Sequence, residues 1–393
     1  LKLTNEMVFK KLRGNKGTKV NLQIQRKDVK GLLSFDVVRD KIPIFSLDAC
    51  YEAQPGIIYL KLSRFSATSE SEIYEEISKL GLKKIEGIIF DLRSNGGGFL
   101  TTAFAIGDMF LNKGETIVYT EGRKFPKNET LATGNGFFKT GPLAILIDEN
   151  SASASEIVAG AIQDWDRGII IGRRSFGKGL VQQMLPFPDG SQLRLTIARY
   201  HTPSGRVIQK PFTEGKREDY YKDLNNRYKT GELFSLKEVD IPDSLKFKTL
   251  VKGRTVYGGG GITPDYFVPA DTSDVSDYFM NLIRKGVITA FMNEYTDKKI
   301  DQIKSHFKTY ESFNKGFKSL DVIFQDMIIF AEKKGIAKDE NGLQISGEKI
   351  RNYLKALLAR SLFDSSAYFR VINSYRDMEY DAALEYIKGN IKL

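Results

Sequence analysis

Between Thr4 and Arg13 the apolar residues fall at helical spacing, and the run stops at Gly14. Gly17-Thr18 leads into two alternating stretches, VNLQIQR and LLSFDVVRD, which predict two strands. Such a fragment has too few strands to close a core, so a further part is expected to precede it. From Gly56 to Gly98 the pattern reads strand (IIYLKL), helix (SEIYEEISKLGL), strand (GIIFDL) and a glycine-rich turn, a βαβ unit. A helix follows over 99–111, then strands at ETIVYT and LAILID, a helix over about 155–166, and a strand GIIIG. LVQQMLPF and QLRLTIARY, joined by Pro188-Asp189-Gly190-Ser191, predict a hairpin. Together these elements predict one α/β domain over 46–270. Within it, 211–250 is rich in Lys, Tyr and Asp, lacks clear periodicity, and reads as a surface insertion of the lid or loop kind. Beyond Pro264 and Pro269 the stretches VSDYFMNLIRKGVITAFMNEY, LDVIFQDMIIFAEKK, GEKIRNYLKALLARSLF and SSAYFRVINSYRDMEYDAALEYI read as successive amphipathic helices, so 271–393 is expected to be a helical domain.

Composition narrows the chemistry. A length of 393 residues suggests two to three domains, 41% hydrophobic residues exclude disorder, and no apolar run approaches the ~18 residues of a membrane span. One cysteine, Cys50, forbids an intramolecular disulfide, and two histidines, His201 and His306, are too few for a zinc or haem site, so no redox or transition-metal enzyme is expected. The same shortage weakens any Ser-His mechanism; a nucleophile here needs another base. The net charge of +10 permits anionic partners, but the charges are interspersed, which reads as solvated surface and not as a nucleic-acid site. Leu1-Lys2-Leu3-Thr4 is neither an initiator Met nor a signal peptide, so Leu1 is expected to be a cut point, and localisation is not readable from this terminus.

Three segments could carry chemistry. Asn150-Ser151-Ala152-Ser153-Ala154-Ser155-Glu156 joins a buried-type strand to a helix; small residues at such a turn let a hydroxyl sit at the positive helix end, where backbone N–H groups can hold an oxyanion. Ser153-x-x-Glu156 equally fits a capping box, and Ser151 and Ser155 are alternative nucleophiles by chemistry. Gly172-Arg173-Arg174-Ser175-Phe176-Gly177-Lys178-Gly179 has the spacing of a phosphate-cradling loop up to its last position. There Gly179 replaces the Ser or Thr that would coordinate magnesium, and a strand-like LVQQMLPF stands where a helix should begin. Asp91-Leu92-Arg93-Ser94-Asn95-Gly96-Gly97-Gly98 ends a parallel-type strand, where ligands collect, although Asp91 and Arg93 also read as a local ion pair.

The co-occurrence of DLRSNGGG, SASASEI and FGKGLVQQ, in that order and with Lys178 25 residues after Ser153, resembles the C-terminal processing peptidases, or tail-specific proteases. YLKLSRF (59–65), RYHTPSGRVIQ (199–209) and VYGGGGITPD (256–265) extend the resemblance over about residues 1–270, and MVFKKLRGNKGTKVNLQIQRK resembles the second half of a PDZ domain. The resemblance implies a ClpP/crotonase-like α/β protease core over 46–270. In front of it would stand the C-terminal half of a PDZ domain (1–45), and behind it the helical domain. It implies Ser153 as nucleophile, Lys178 as general base and Gln182 as the residue that orients the lysine. The N–H of Ala154, with that of Gly97 or Gly98, would form the oxyanion hole. The function it implies is serine endopeptidase cleavage of protein substrates near their C-termini, with no cofactor, in the periplasm or cell envelope. The helical domain is open to several roles, a homo-oligomer contact among them.

Physical chemistry adds two requirements. A lysine base must lose its charge, so its pKa of ~10.4 has to fall, and Phe176 and Leu180 are expected to bury it away from the acidic residues. Four residues of extended chain span ~13 Å, so for Gln182 to reach Lys178 the strand must bend near Gly179. His201 is expected to serve packing. Two other readings remain, a catalytically silent PDZ-type scaffold that binds peptides and a P-loop-like nucleotide hydrolase.

Overall fold

The computed structural model describes all residues except 1–3, 27–28, 42–43, 213–216, 236–241 and 393. The start of the predicted amino-terminal fragment and two stretches of the predicted insertion therefore lie outside the described residues. Two compact units form, Leu1–Phe45 and Ser46–Leu393. The first holds a helix α1 (Asn5–Leu12), capped by the Thr4 hydroxyl, and an antiparallel hairpin of β1 (Lys19–Gln25) and β2 (Leu32–Val38).

The second unit is built on a six-stranded sheet in the order β14-β9-β8-β5-β4-β3. Its strands are β3 (Leu47–Gln54), β4 (Ile57–Leu62), β5 (Gly87–Asp91), β8 (Leu143–Ile147), β9 (Ile169–Gly172) and β14 (Tyr266–Phe267). All neighbours pair in parallel except β3 and β4. The runs IIYLKL, GIIFD, LAILI and IIIG are buried throughout, as parallel strands covered on both faces must be. Side-chain alternation divides them. Ile58, Leu60, Ile88, Phe90, Ile145 and Ile147 share a core with α2 (Ser69–Lys79), α3 (Leu100–Asp108) and α4 (Ala154–Asp164), while Tyr59, Ile89, Ala144, Leu146 and Ile171 face the other way.

A second, four-stranded antiparallel sheet has the order β10-β11-β6-β7, with β6 (Thr116–Gly122), β7 (Phe125–Leu131), β10 (Leu180–Pro186) and β11 (Gln192–His201). The expected hairpin is present, its turn closed by the Phe187 N–H on the Ser191 carbonyl. In β7 the residues FPKNETL show no apolar alternation because the strand lies at a solvated sheet edge, and the pattern did not predict it. The polar stretch after β11 contains a helix, α5 (Arg217–Lys229), followed by the short pair β12 (Lys246–Lys248) and β13 (Thr255–Tyr257).

The carboxy-terminal part is helical as expected. Helices α6 (Asp277–Arg284), α7 (Val287–His306), α8 (Tyr310–Gly316), α9 (Leu320–Lys333), α10 (Glu340–Leu362) and α11 (Ser365–Asn373) gather around Leu282, Phe313, Met327, Ile350 and Leu358. The last helix, α12 (Met378–Ile387), leaves that core and lays Tyr380, Ala383 and Leu384 on the second face of the six-stranded sheet, against Tyr59, Ile89 and Leu146. Among the described residues no helix is long and apolar enough to cross a membrane.

Candidate active site

Three loops leave the carboxyl ends of adjacent parallel strands, after β5, β8 and β9, the edge of an α/β sheet where reacting groups collect. These are the loops that carry the three sequence motifs.

The first is anchored from below. Asp91, 1% exposed, accepts from the Tyr59 hydroxyl at 2.7 Å, the Lys61 ammonium at 2.9 Å and the Arg93 guanidinium. Burial pushes its carboxyl up, but Arg93 and Lys61 overcome that and hold it well below the usual carboxylate range. Arg93 continues to Asp377 and Glu379 at the start of α12, and Glu379 also accepts from Arg173. The local ion pair read from the sequence is thus one part of a longer network. Above it Asn95 donates to the Leu62 carbonyl and accepts from the Gly97 N–H at 2.9 Å, so this N–H is spent within its own turn. The Gly98 and Ala154 N–H groups have no hydrogen-bond partner among the described residues. At Gly98, φ is 156° and an added Cβ would lie 2.0 Å from the Phe65 carbonyl oxygen; at Gly97, φ is 96° and it would meet Ser153 Cβ at 2.8 Å. Only glycine lets this turn approach the serine so closely.

In the second loop the three candidate serines separate. Ser151 is fully buried and its hydroxyl donates to the Leu92 carbonyl; Ser155 is fully buried and donates to the Asn95 carbonyl. Both are spent in tying this loop to the first. Ser153 is half-buried, and among the described residues its hydroxyl donates to nothing. It has φ 58°, a left-handed conformation that costs a non-glycine residue about 1–3 kcal/mol and persists only where its surroundings impose it. Its backbone N–H donates to Glu156 Oε2 at 2.8 Å, so the capping box of the sequence is present and caps the same helix that presents the serine.

Glu156 also joins the second loop to the third. Oε2 accepts from the Lys178 backbone N–H at 2.8 Å, and Oε1 accepts from the Gly177 N–H and the Ser175 hydroxyl, each at 2.6 Å. One carboxylate oxygen therefore holds the backbone nitrogens of Ser153 and Lys178 no further apart than twice a hydrogen-bond length. Burial raises this carboxyl, and its four neutral donors draw it back only in part. The bridge was not foreseen, since Glu156 had been read as a cap and acidic groups had been expected to stay away from the lysine. Gln209, whose Oε1 accepts from the Gly179 N–H at 2.9 Å, was also missed and carries no sequence signal.

Two expectations need correction. Lys178 is exposed, so Phe176 and Leu180 do not bury it as required for the loss of its charge. The chain bends, but at a bulge between Val181 and Gln182 and not at Gly179, and Gln182 is exposed on β10 with no hydrogen bond to Lys178 among the described residues. His201 stacks on Tyr119 with centroids 4.6 Å apart, the packing role expected of it. A strand, β10, and no helix follows Gly179, which removes the phosphate-cradling loop as a reading.

Fold and turns together define an α/β protein with a strained serine at the carboxyl edge of its sheet. Residues 56–220 match peptidase family S41, and residues 278–364 match a family of unknown function, DUF8443. The carboxy-terminal-processing protease of Bartonella bacilliformis is 43% identical over 205 residues, which are 50% of this chain and 46% of that protein. The carboxy-terminal processing protease CtpB of Bacillus subtilis is 30% identical over 321 residues, 79% of this chain and 65% of that protein. A solved structure of a photosystem II D1 C-terminal processing protease has a TM-score of 0.41 at 23% identity, covering 65% of this chain and 57% of that one. The chain thus spans about half to two thirds of the length of these relatives. Its segment 56–220 is similar to peptidase family S41, and its relatives are carboxy-terminal processing proteases.

Proposed function

We propose that this chain is a serine endopeptidase that cleaves protein substrates near their C-termini through an acyl-enzyme on Ser153. The observation that supports it most is the shared Glu156 carboxylate, which holds beside Lys178 the one serine of the turn whose hydroxyl proton is uncommitted.

The neutral Lys178 amine takes the Ser153 hydroxyl proton as Oγ attacks the scissile carbonyl carbon. The oxyanion that forms is received by the N–H groups of Ala154 and Gly98, the pair left free once Gly97 is spent on Asn95. The intermediate collapses, the C–N bond breaks, and the Lys178 ammonium returns its proton to the leaving amine. Water, deprotonated by the same lysine, then releases the acyl group. Because Lys178 is exposed, the bound peptide has to cover it, and Gln182, just beyond the bulge, orients it in that state. Residues 1–45, with their helix and hairpin, are proposed as part of a PDZ domain that engages substrate tails. The resemblance points to the periplasm or cell envelope.

A gel time course of an unstructured protein such as casein tests this, with wild type, Ser153→Ala and Lys178→Ala. We expect cleavage by the wild type and at least ~10³-fold slower cleavage by both variants. Equal cleavage by all three would discard the Ser-Lys mechanism, and peptide binding without cleavage by any would leave a scaffold.

A further inference from the structure

The loop that presents Lys178 is gripped from two sides. From α4, Glu156 accepts its N–H and hydroxyl donors at Ser175, Gly177 and Lys178. That leaves the carbonyl groups of the loop, and those of Arg174 and Ser175 are taken by a single guanidinium, Arg227 of α5, which is 3% exposed. Glu232, just past α5, accepts from Arg227 Nε at 3.0 Å and from two nitrogens of Arg174, closing a ring of contacts around the same two residues. A second set holds the helix down nearby. Lys210 pairs with Asp223 at 3.1 Å, its ammonium lies 4.0 Å and 4.2 Å from the Phe176 and Tyr220 ring centroids, and those two rings meet edge to face. Lys210 N–H in turn donates to the Gly177 carbonyl. All of this lies in and beside a polar stretch whose sequence suggested only a surface loop.

We propose that Arg227 is a positioning residue for the general base. By fixing the carbonyl side of the 174–178 loop while Glu156 fixes its amide side, α5 sets the distance from Lys178 to Ser153. The dyad is then assembled only while α5 is docked. Arg227 is spent on two backbone carbonyls of the loop and on the Glu232 carboxylate, so it acts through Lys178 and not on substrate. This inference rests on the Ser-Lys reading above. Burying a guanidinium is costly unless its donors are used, and here all three bonds are spent on this one loop and its partner Glu232, so docking geometry and loop geometry are one quantity.

The test compares Arg227→Ala, Arg227→Lys, Glu232→Gln and, on the exposed face of α5, Lys222→Ala, in cleavage of a fluorogenic peptide across pH. A misplacement of about 1 Å costs up to ~10²-fold, so Arg227→Ala is expected to lose roughly 10- to 100-fold in kcat with KM changed less than about twofold. The loss should persist across the pH range, because it comes from the misplaced loop. Arg227→Lys, able to reach one carbonyl, should recover part of the loss, and Lys222→Ala should match wild type. A role in folding alone would lower the number of active sites, counted with a serine-directed covalent inhibitor, and leave kcat per active site unchanged. Should Arg227→Ala not fold, Glu232→Gln, which keeps the guanidinium but loosens its hold, carries the same expectation at smaller size. Unchanged kcat per active site, or a loss confined to KM, in the folded variants overturns the proposal. Inactivity of the wild type, by contrast, would overturn the Ser-Lys reading on which it stands.

Discussion

Asp91 shows what a buried charge does in this chain. Its carboxylate receives Tyr59, Lys61 and Arg93 in a site closed to water, and its pKa lies below the ordinary value. A depressed native pKa means that the stabilisation is present above the unfolded-state pKa of ~3.9 and is lost as pH falls through the native one. At neutral pH, Asp91→Asn leaves Lys61 without its carboxylate and Arg93 with only Asp377 and Glu379, and should cost about 3–5 kcal/mol. Denaturant titrations at pH 7 and pH 3 should show the gap between variant and wild type narrowing as the solution is acidified; a gap of constant size would contradict the assignment. The tolerance of Ser153 for φ 58° belongs to the same scale, since the glycines opposite it and the Glu156 bond together impose it.

Among the elements, α12 has the most demanding seat. Ala383 is fully buried between the helix and the sheet, a position where only a methyl group fits. Ala383→Leu should overpack it at a cost of about 1–3 kcal/mol, read as a lower denaturation midpoint with an unchanged slope. An unaltered midpoint would mean that the helix does not pack as described. The seat itself was not legible in the sequence, because an amphipathic helix has the same periodicity whichever apolar surface it covers. The strands GIIFD, LAILI and IIIG were legible because burial on both faces leaves an uninterrupted apolar run. Helix α5 was not, since its buried residue among the described side chains is an arginine and most of its other positions are polar. In the site, Ser153 and Lys178 stood out through the order of their motifs. The Glu156 bridge did not, because it exists only once β8 and β9 lie side by side and bring their loops together. Nor could the exposure of Lys178 be read from Phe176 and Leu180, which flank it in sequence but leave its side chain open.

For the whole molecule, 59 basic against 49 acidic residues make a particle of net charge +10. Such a field speeds encounter with anionic chains and is screened by salt, with a Debye length of ~10 Å at 0.1 M falling to ~3 Å at 1 M. Cleavage of an acidic unstructured protein should therefore slow several-fold in kcat/KM between about 0.05 and 0.5 M salt, while a basic substrate of the same length should not slow. Equal salt responses would show that the surface charge plays no part in capture.

The return of α12 to the sheet also imposes an order in time. When a ribosome has completed β9, the sheet has its central strands and the serine loop, with the lysine loop close behind, yet one face remains bare. The helix that covers it is encoded about 200 residues later. At a synthesis rate of ~5–20 residues per second that interval is roughly 10–40 s. Through it, the Arg93 and Arg173 side chains lack Asp377 and Glu379, so the turn that would receive the oxyanion is not yet braced. A chain of this design keeps that face of its sheet uncovered until α12 emerges.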